Sequence, residues 1–194
     1  MIELTSTPII ILAILGGVGV ALPVINVALK ERGSMISYGI VTLIALFAAI
    51  GYVFYQLALD HVAPAAIFSQ DVLVDDAFGS LFAIAMLIVA IFTTVGSFSY
   101  MKNKANPSVY FSLILLSTIG MVLVAYSTDL VMLFVAWELM SIPTYILVGF
   151  LKKDPISNEA AIKYFLFGAL SSAIIIYGIS LAYGITGSTN IGEV

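Results

Sequence analysis

The chain has 194 residues, of which 62% are hydrophobic and only 9% are charged. Soluble domains average about 25% charged residues, so 7 Lys/Arg and 11 Asp/Glu cannot coat a soluble protein of this length. The net charge of −4 argues against nucleic-acid binding, and the absence of cysteine excludes disulfides, thiolate metal sites and iron–sulfur clusters. The composition therefore indicates a polytopic membrane protein.

Six apolar segments follow one another along the chain, each close to the roughly 20 residues that a helix needs to cross a bilayer core. Glu138 and Lys163 are the only charged residues within them. We therefore expect an all-α fold, with a single membrane domain whose six transmembrane helices cover residues 8–29, 37–59, 77–98, 108–126, 130–151 and 160–183.

The loops between these segments predict the orientation in the membrane. Three alternate loops carry all the remaining basic residues, Lys30, Arg32, Lys102, Lys104, Lys152 and Lys153. The opposite side carries none of them and holds Glu3, Asp60, His61, Asp71, Asp75, Asp76 and Glu193. By the positive-inside rule, the basic loops lie in the cytoplasm of a prokaryote and both termini lie outside its plasma membrane.

Local signals mark the boundaries of the last two helices. Asp129 ends the short 127–129 turn and is placed to cap the fifth helix, and Asp154 with Pro155 is typical of a cap and first turn that open the sixth. Two pairs of small residues one turn apart indicate close helix–helix contacts in the sixth helix; they are Gly168 with Ser172 and Ser180 with Gly184.

Glu138 is the strongest candidate for chemistry. It lies eight residues into the fifth segment, about 12 Å from the outer end and about 20 Å from the inner end. A carboxylate at that depth costs several kcal/mol unless it is paired, hydrated or protonated, which favours a role in proton or ion transfer. A protonated carboxyl that only joins two helices is the alternative. Pro143, five residues later, removes a backbone donor and loosens the helix beside Glu138, although prolines are common in membrane helices.

Lys163 is the second candidate for a proton path. It lies three residues into the sixth predicted segment, about 4.5 Å from its inner end. Its stem could reach the interface, and Glu159 lies four residues earlier, the favourable spacing for a helical ion pair. A gap near 15 Å separates its depth from that of Glu138, so we expect no direct pairing. Glu138 is then neutral, or its partner lies in another subunit or beyond residue 194.

Two stretches carry a family resemblance, namely DLVMLFVAWELMSIPTYILVGFLKK at 129–153 and NEAAIKYFLFGALSSAIIIYGISLAYGITGSTNI at 158–191. They resemble the antiporter-like membrane subunits of respiratory complex I and its archaeal relatives, subunit N in particular. The resemblance implies that Glu138 matches a glutamate that couples proton transfer, and that Lys163 matches a lysine near the start of helix 6. It also implies about fourteen helices, so we expect this chain to correspond to an N-terminal portion of a larger antiporter-like bundle.

The resemblance implies a proton-translocating membrane subunit of a NADH or deazaflavin dehydrogenase. Such a subunit carries no redox centre, cofactor or metal, and works beside other membrane subunits while quinone is reduced elsewhere. Two alternatives remain open: a subunit of a multisubunit cation/proton antiporter, and a scaffold that transports nothing.

Overall fold

The computed structural model describes residues 6–28, 33–59, 65–66 and 72–194. Among the residues that bear on the orientation, Glu3, Lys30, Arg32, Asp60, His61 and Asp71 lie outside the described residues. Six helices in the described ranges are long and apolar enough to cross a membrane, which confirms the predicted all-α membrane fold. They are α1 (Thr7–Ala28), α2 (Met35–Ala58), α3 (Ala77–Tyr100), α4 (Pro107–Tyr126), α5 (Leu130–Val148) and α6 (Pro155–Thr186).

The last two helices differ from the predicted segments at their ends. Helix α5 ends at Val148, three residues early, and α6 runs from Pro155 to Thr186, longer at both ends than predicted. The reason is local. Hydropathy marks only the apolar part of a helix, whereas α6 begins directly after its Asp154 cap and ends before Gly187, whose φ of 72° lies in the left-handed region that favours glycine.

Aspartates cap several helices. Asp129 accepts hydrogen bonds from the backbone N–H groups of Val131 and Met132, both at 2.9 Å, and Asp154 accepts one from Ile156 at 3.0 Å. Both predicted caps are confirmed. Asp76 does the same for Gly79 in α3, at 2.7 Å.

Helix α4 forms the centre of the packing, because it contacts α1, α2, α3 and α5 and is the most buried of the six. Its side chains Leu115 and Val122 are fully buried. Helix α5 approaches it closely: a Cβ atom on Gly120 would lie 2.3 Å from the backbone nitrogen of Met140. Glycine is therefore required at this point of the α4–α5 contact.

Helix α6 lies at the edge of the described bundle. It packs mainly against α5, and none of its residues is buried. The large apolar side chains of α6 are thus mostly exposed, among them Ile162, Phe167, Leu170 and Ile174.

One end of the bundle carries Asp75, Asp76, Asp129 and Glu193, and we call it the acidic end. Short backbone pairings close this end. Strands β1 (Ala65–Ala66) and β2 (Val74–Asp75) pair antiparallel, with Ala65 opposite Asp75. The segment after α6 pairs with the α4–α5 turn, where the N–H of Leu130 donates to the carbonyl of Thr189 at 2.8 Å and that of Ile191 to Thr128 at 2.9 Å. Both ends of the described chain therefore lie at the acidic end.

Candidate functional site in the α5–α6 interface

Glu138 stands beside the middle of α5. It is the ninth of the 19 residues of that helix, about 12 Å from the N-terminal end and about 15 Å from the C-terminal end. The second distance is shorter than the 20 Å predicted, because α5 ends at Val148. The side chain is partly buried. The carboxyl group thus lies beside the middle of a helix that is long and apolar enough to span a membrane.

The partner of Glu138 is a hydroxyl group on the neighbouring helix. Ser172 of α6 donates a hydrogen bond to Oε1 of Glu138. Within the described residues no other group donates a hydrogen bond to this carboxylate, and none forms an ion pair with it. Sequence reasoning treated Ser172 only as a small packing residue and missed this contact.

Small residues allow α5 and α6 to approach closely along the interface that contains the Glu138–Ser172 hydrogen bond. A Cβ atom on Gly168 would lie 2.1 Å from Oη of Tyr145, and one on Gly149 would lie 2.8 Å from the Cβ of Ala161. The predicted close contact at Gly168 and Ser172 is therefore present. Nothing described lies within 4 Å of a Cβ on Gly184, so the contact indicated there stays a prediction.

Pro143 is buried inside α5, and hydroxyl groups surround this part of the helix. Ser117 of α4 donates to the carbonyl of Met140 at 3.0 Å, Ser141 donates to Trp137 at 2.8 Å, and Thr144 donates to Ser141 at 2.6 Å. Proline lacks the N–H that would bond the carbonyl of Leu139. These hydroxyls thus bond backbone carbonyls on either side of Leu139.

A cavity of about 310 Å³ lies beside this stretch, between α3, α4, α5 and Tyr164 of α6. Its lining is largely apolar and includes the hydroxyls of Thr93, Ser117, Thr118, Ser141, Thr144 and Tyr164. Residues with hydroxyl groups from four helices thus line a cavity beside the half of α5 that follows Glu138.

Lys163 does not contact Glu138. Its Nζ lies 2.5 Å from Oε1 of Glu159, the pair expected from the spacing, and both side chains are about two-thirds exposed. Because α6 begins at Pro155, Lys163 lies about 12 Å from the start of the helix rather than 4.5 Å. It is nine residues before Ser172, about 13.5 Å along the helix.

The carboxylates at the acidic end of the bundle form hydrogen bonds with other parts of the chain. Oδ2 of Asp75 accepts a hydrogen bond of 2.6 Å from the backbone N–H of Thr7, the first residue of α1, and Asp75 is buried. Thr189 donates to the second carboxylate oxygen of Asp129, the cap of α5. These carboxylates hold helix ends together, whereas Glu138 lies inside a helix, where it caps nothing.

The comparisons with known proteins agree with the resemblance in the last third of the chain. Residues 127–194 match the family described as NADH:quinone oxidoreductase/Mrp antiporter, transmembrane region. Two relatives are NADH-quinone oxidoreductase subunit N of Desulfitobacterium hafniense, 39% identical over 97% of this chain and 36% of its own length, and F(420)H(2) dehydrogenase subunit N of Methanosarcina mazei, 39% identical over 64% and 25%.

A solved structure has the same fold. A chain of respiratory complex I from Thermus thermophilus, with bound aureothin, superposes with a TM-score of 0.75 at 29% identity, over 94% of this chain and 38% of that one. The chain spans between about a quarter and rather more than a third of the length of the first curated relatives. In sequence and fold, it belongs to the antiporter-like membrane subunits of the NADH:quinone oxidoreductase/Mrp antiporter family.

Proposed function

We propose that the chain acts as part of a proton-translocating membrane subunit of a complex I-like dehydrogenase. Relatives over nearly its full length are named as subunit N of NADH-quinone oxidoreductases, which supports this assignment. The alternation of basic and acidic loops supports an orientation with the acidic end outside, and the bacterial relatives support a prokaryotic plasma membrane. Other membrane subunits would surround the chain, and quinone would be reduced elsewhere in the complex.

The observation that carries the proposal is the position of Glu138. Its carboxyl group lies in the middle of α5 with a hydroxyl partner and with no described cation beside it. A carboxylate inside a membrane span costs several kcal/mol unless it is paired, hydrated or protonated, and such groups often mark proton paths. A carboxyl group in this position is suited to taking up and releasing a proton.

Transport requires that the charge state of Glu138 changes with the working cycle. A cation that approaches the carboxylate favours its ionised form, and a cation that withdraws leaves desolvation to favour the neutral form. We propose that such a cation comes from outside the described contacts of Glu138. Redox energy released elsewhere in the complex would drive its movement.

The test is Glu138→Gln in the assembled complex, in sealed vesicles. Glutamine keeps the shape and the contact with Ser172 but cannot ionise. We expect proton pumping to fall by roughly tenfold or more, with the amount of assembled complex unchanged. Glu193→Gln, the same change in an exposed residue at the acidic end, should pump normally. Full pumping by Glu138→Gln with normal electron transfer would contradict the relay role.

Lys163 belongs to the proposal as a group at the inner entrance of the proton path. Its exposed pair with Glu159 contributes little to stability, on the order of 0–1 kcal/mol. Lys163→Gln should therefore leave assembly intact and lower pumping several-fold. Glu159→Gln breaks the same ion pair but keeps the ammonium group, and should pump at close to the normal rate. If both variants pump normally, Lys163 takes no part in the proton path, and its side chain only extends toward the membrane interface.

A cation/proton antiporter subunit is the second candidate, since the matching family includes Mrp antiporters. The same carboxyl group would then exchange protons against cations without electron transfer. Vesicles that hold the complex distinguish the two functions: a proton gradient formed only during electron transfer supports the first, and one formed by a sodium gradient alone supports the second.

A further inference from the structure

Ser172 uses its hydroxyl group differently from its neighbours on α6. Ser171 donates to the carbonyl of Phe167 at 2.9 Å and Ser180 donates to Tyr177 at 2.7 Å, so both bond the backbone of their own helix. This is the usual use of serine in a membrane helix. The hydroxyl of Ser172 instead crosses to α5 and donates to Oε1 of Glu138.

Packing alone does not account for this residue. Close approach of α5 and α6 is already provided by Gly168, one turn away, where Tyr145 occupies the space that a side chain would need. Alanine at position 172 would be nearly as small as serine. What serine adds at this position is a hydroxyl group facing the carboxyl group, at the middle of both helices: Ser172 is the eighteenth of the 32 residues of α6.

A hydroxyl group suits a partner that changes its protonation state. It has one donor and two acceptor lone pairs, and its hydrogen can rotate. When Glu138 is ionised, the carboxylate only accepts and Ser172 donates to it. When Glu138 is protonated, the acid can donate to the oxygen of Ser172. A lysine could serve only the ionised form, because an ammonium group has no acceptor.

We propose that Ser172 is a positioning residue for Glu138, one that keeps a hydrogen bond to the carboxyl group in both of its charge states. This inference rests on the proposed proton-relay function of Glu138. Ser172 would hold the carboxyl group in the α5–α6 interface through the cycle, so that proton donors and acceptors always meet it in one place.

The experiment compares Ser172→Ala with Ser171→Ala, its matched neighbour, in the assembled complex in sealed vesicles. We expect Ser172→Ala to lower proton pumping by about tenfold, the order expected for a lost hydrogen bond to a charged group, with electron transfer and assembly retained. Ser171→Ala should pump normally. Normal pumping by Ser172→Ala would overturn the proposal.

An infrared readout separates positioning from a merely structural role. A protonated carboxyl group that loses a hydrogen bond absorbs at higher frequency, so the Glu138 band, the one lost in Glu138→Gln, should shift upward in Ser172→Ala and stay in place in Ser171→Ala. An unshifted band in Ser172→Ala would overturn the proposal even if pumping fell.

Two further variants keep the test decisive if Ser172→Ala does not assemble. Threonine and valine share one shape and differ in the hydroxyl group, so Ser172→Thr should pump at close to the normal rate and Ser172→Val about tenfold more slowly. Equal pumping by the two would overturn the inference.

The Glu138 and Ser172 variants together separate the two proposals. If Glu138→Gln pumps normally, the proposed function itself fails. If Glu138→Gln is impaired while every Ser172 variant pumps normally, only the inference about Ser172 fails.

Discussion

At the scale of single residues, the position of a carboxylate along its helix separates two roles. Asp75, Asp76 and Asp129 all accept hydrogen bonds from backbone N–H groups at helix starts. Free N–H groups and the positive end of the helix dipole stabilise negative charge there. Glu138 lies mid-helix, where no free backbone donor exists, and depends on a side chain of α6 instead.

The role of Asp129 as a cap predicts a stability effect. Asp129→Ala removes two hydrogen bonds to the start of α5 and one from Thr189. Loss of a cap costs about 1 kcal/mol, so the thermal midpoint of the solubilised complex should fall. Asp129→Asn retains an accepting oxygen and should lie nearer to the unchanged protein. Equal midpoints for all three proteins would show that the cap contributes nothing.

At the scale of elements, the helices differ in what holds them. Helix α4 is fixed by contacts with four neighbours, while α6 is fixed by α5 and by the backbone pairing of its C-terminal segment with the α4–α5 turn. The contact between Glu138 and Ser172 thus joins α5, which packs on α4, to the helix at the edge of the described bundle.

The close approach of α4 and α5 gives a second stability prediction. Gly120→Ala would place a Cβ atom 2.3 Å from the backbone nitrogen of Met140, and a backbone atom cannot rotate away. Overpacking of this kind costs about 1–3 kcal/mol, so less complex should assemble. Gly96→Ala in α3 is the control, because nothing described lies within 4 Å of its Cβ. Normal assembly of Gly120→Ala would mean that α4 and α5 can separate at no cost.

At the scale of the whole molecule, the sequence predicted what local signals determine. The six membrane helices follow from hydropathy, and the caps Asp129 and Asp154 follow from residue types at helix starts. The distance of Glu138 from the start of α5, about 12 Å, follows from counting residues along one helix, whereas the distance to its end is shorter than predicted because α5 ends at Val148. The family follows from the motif around Glu138, and the comparisons confirm it.

The contact between Glu138 and Ser172 could not be predicted in the same way. A hairpin that is symmetric about its 149–154 loop would set Phe165 opposite Glu138, whereas α6 is displaced so that Ser172 lies there, two turns further along. That displacement depends on the packing of Gly149 against Ala161 and of Gly168 against Tyr145. Tertiary packing determines which residues of α5 and α6 lie opposite each other, and the hydropathy of the sequence does not encode this.

The central claim is that Glu138 changes its protonation state while the complex works. Infrared difference spectra of the complex, with and without turnover, measure this directly. We predict a protonated-carboxyl band that appears or disappears on turnover in the unchanged protein and is missing from Glu138→Gln. An identical difference spectrum for the two proteins would show that Glu138 keeps one charge state throughout, and would contradict its role as a proton relay.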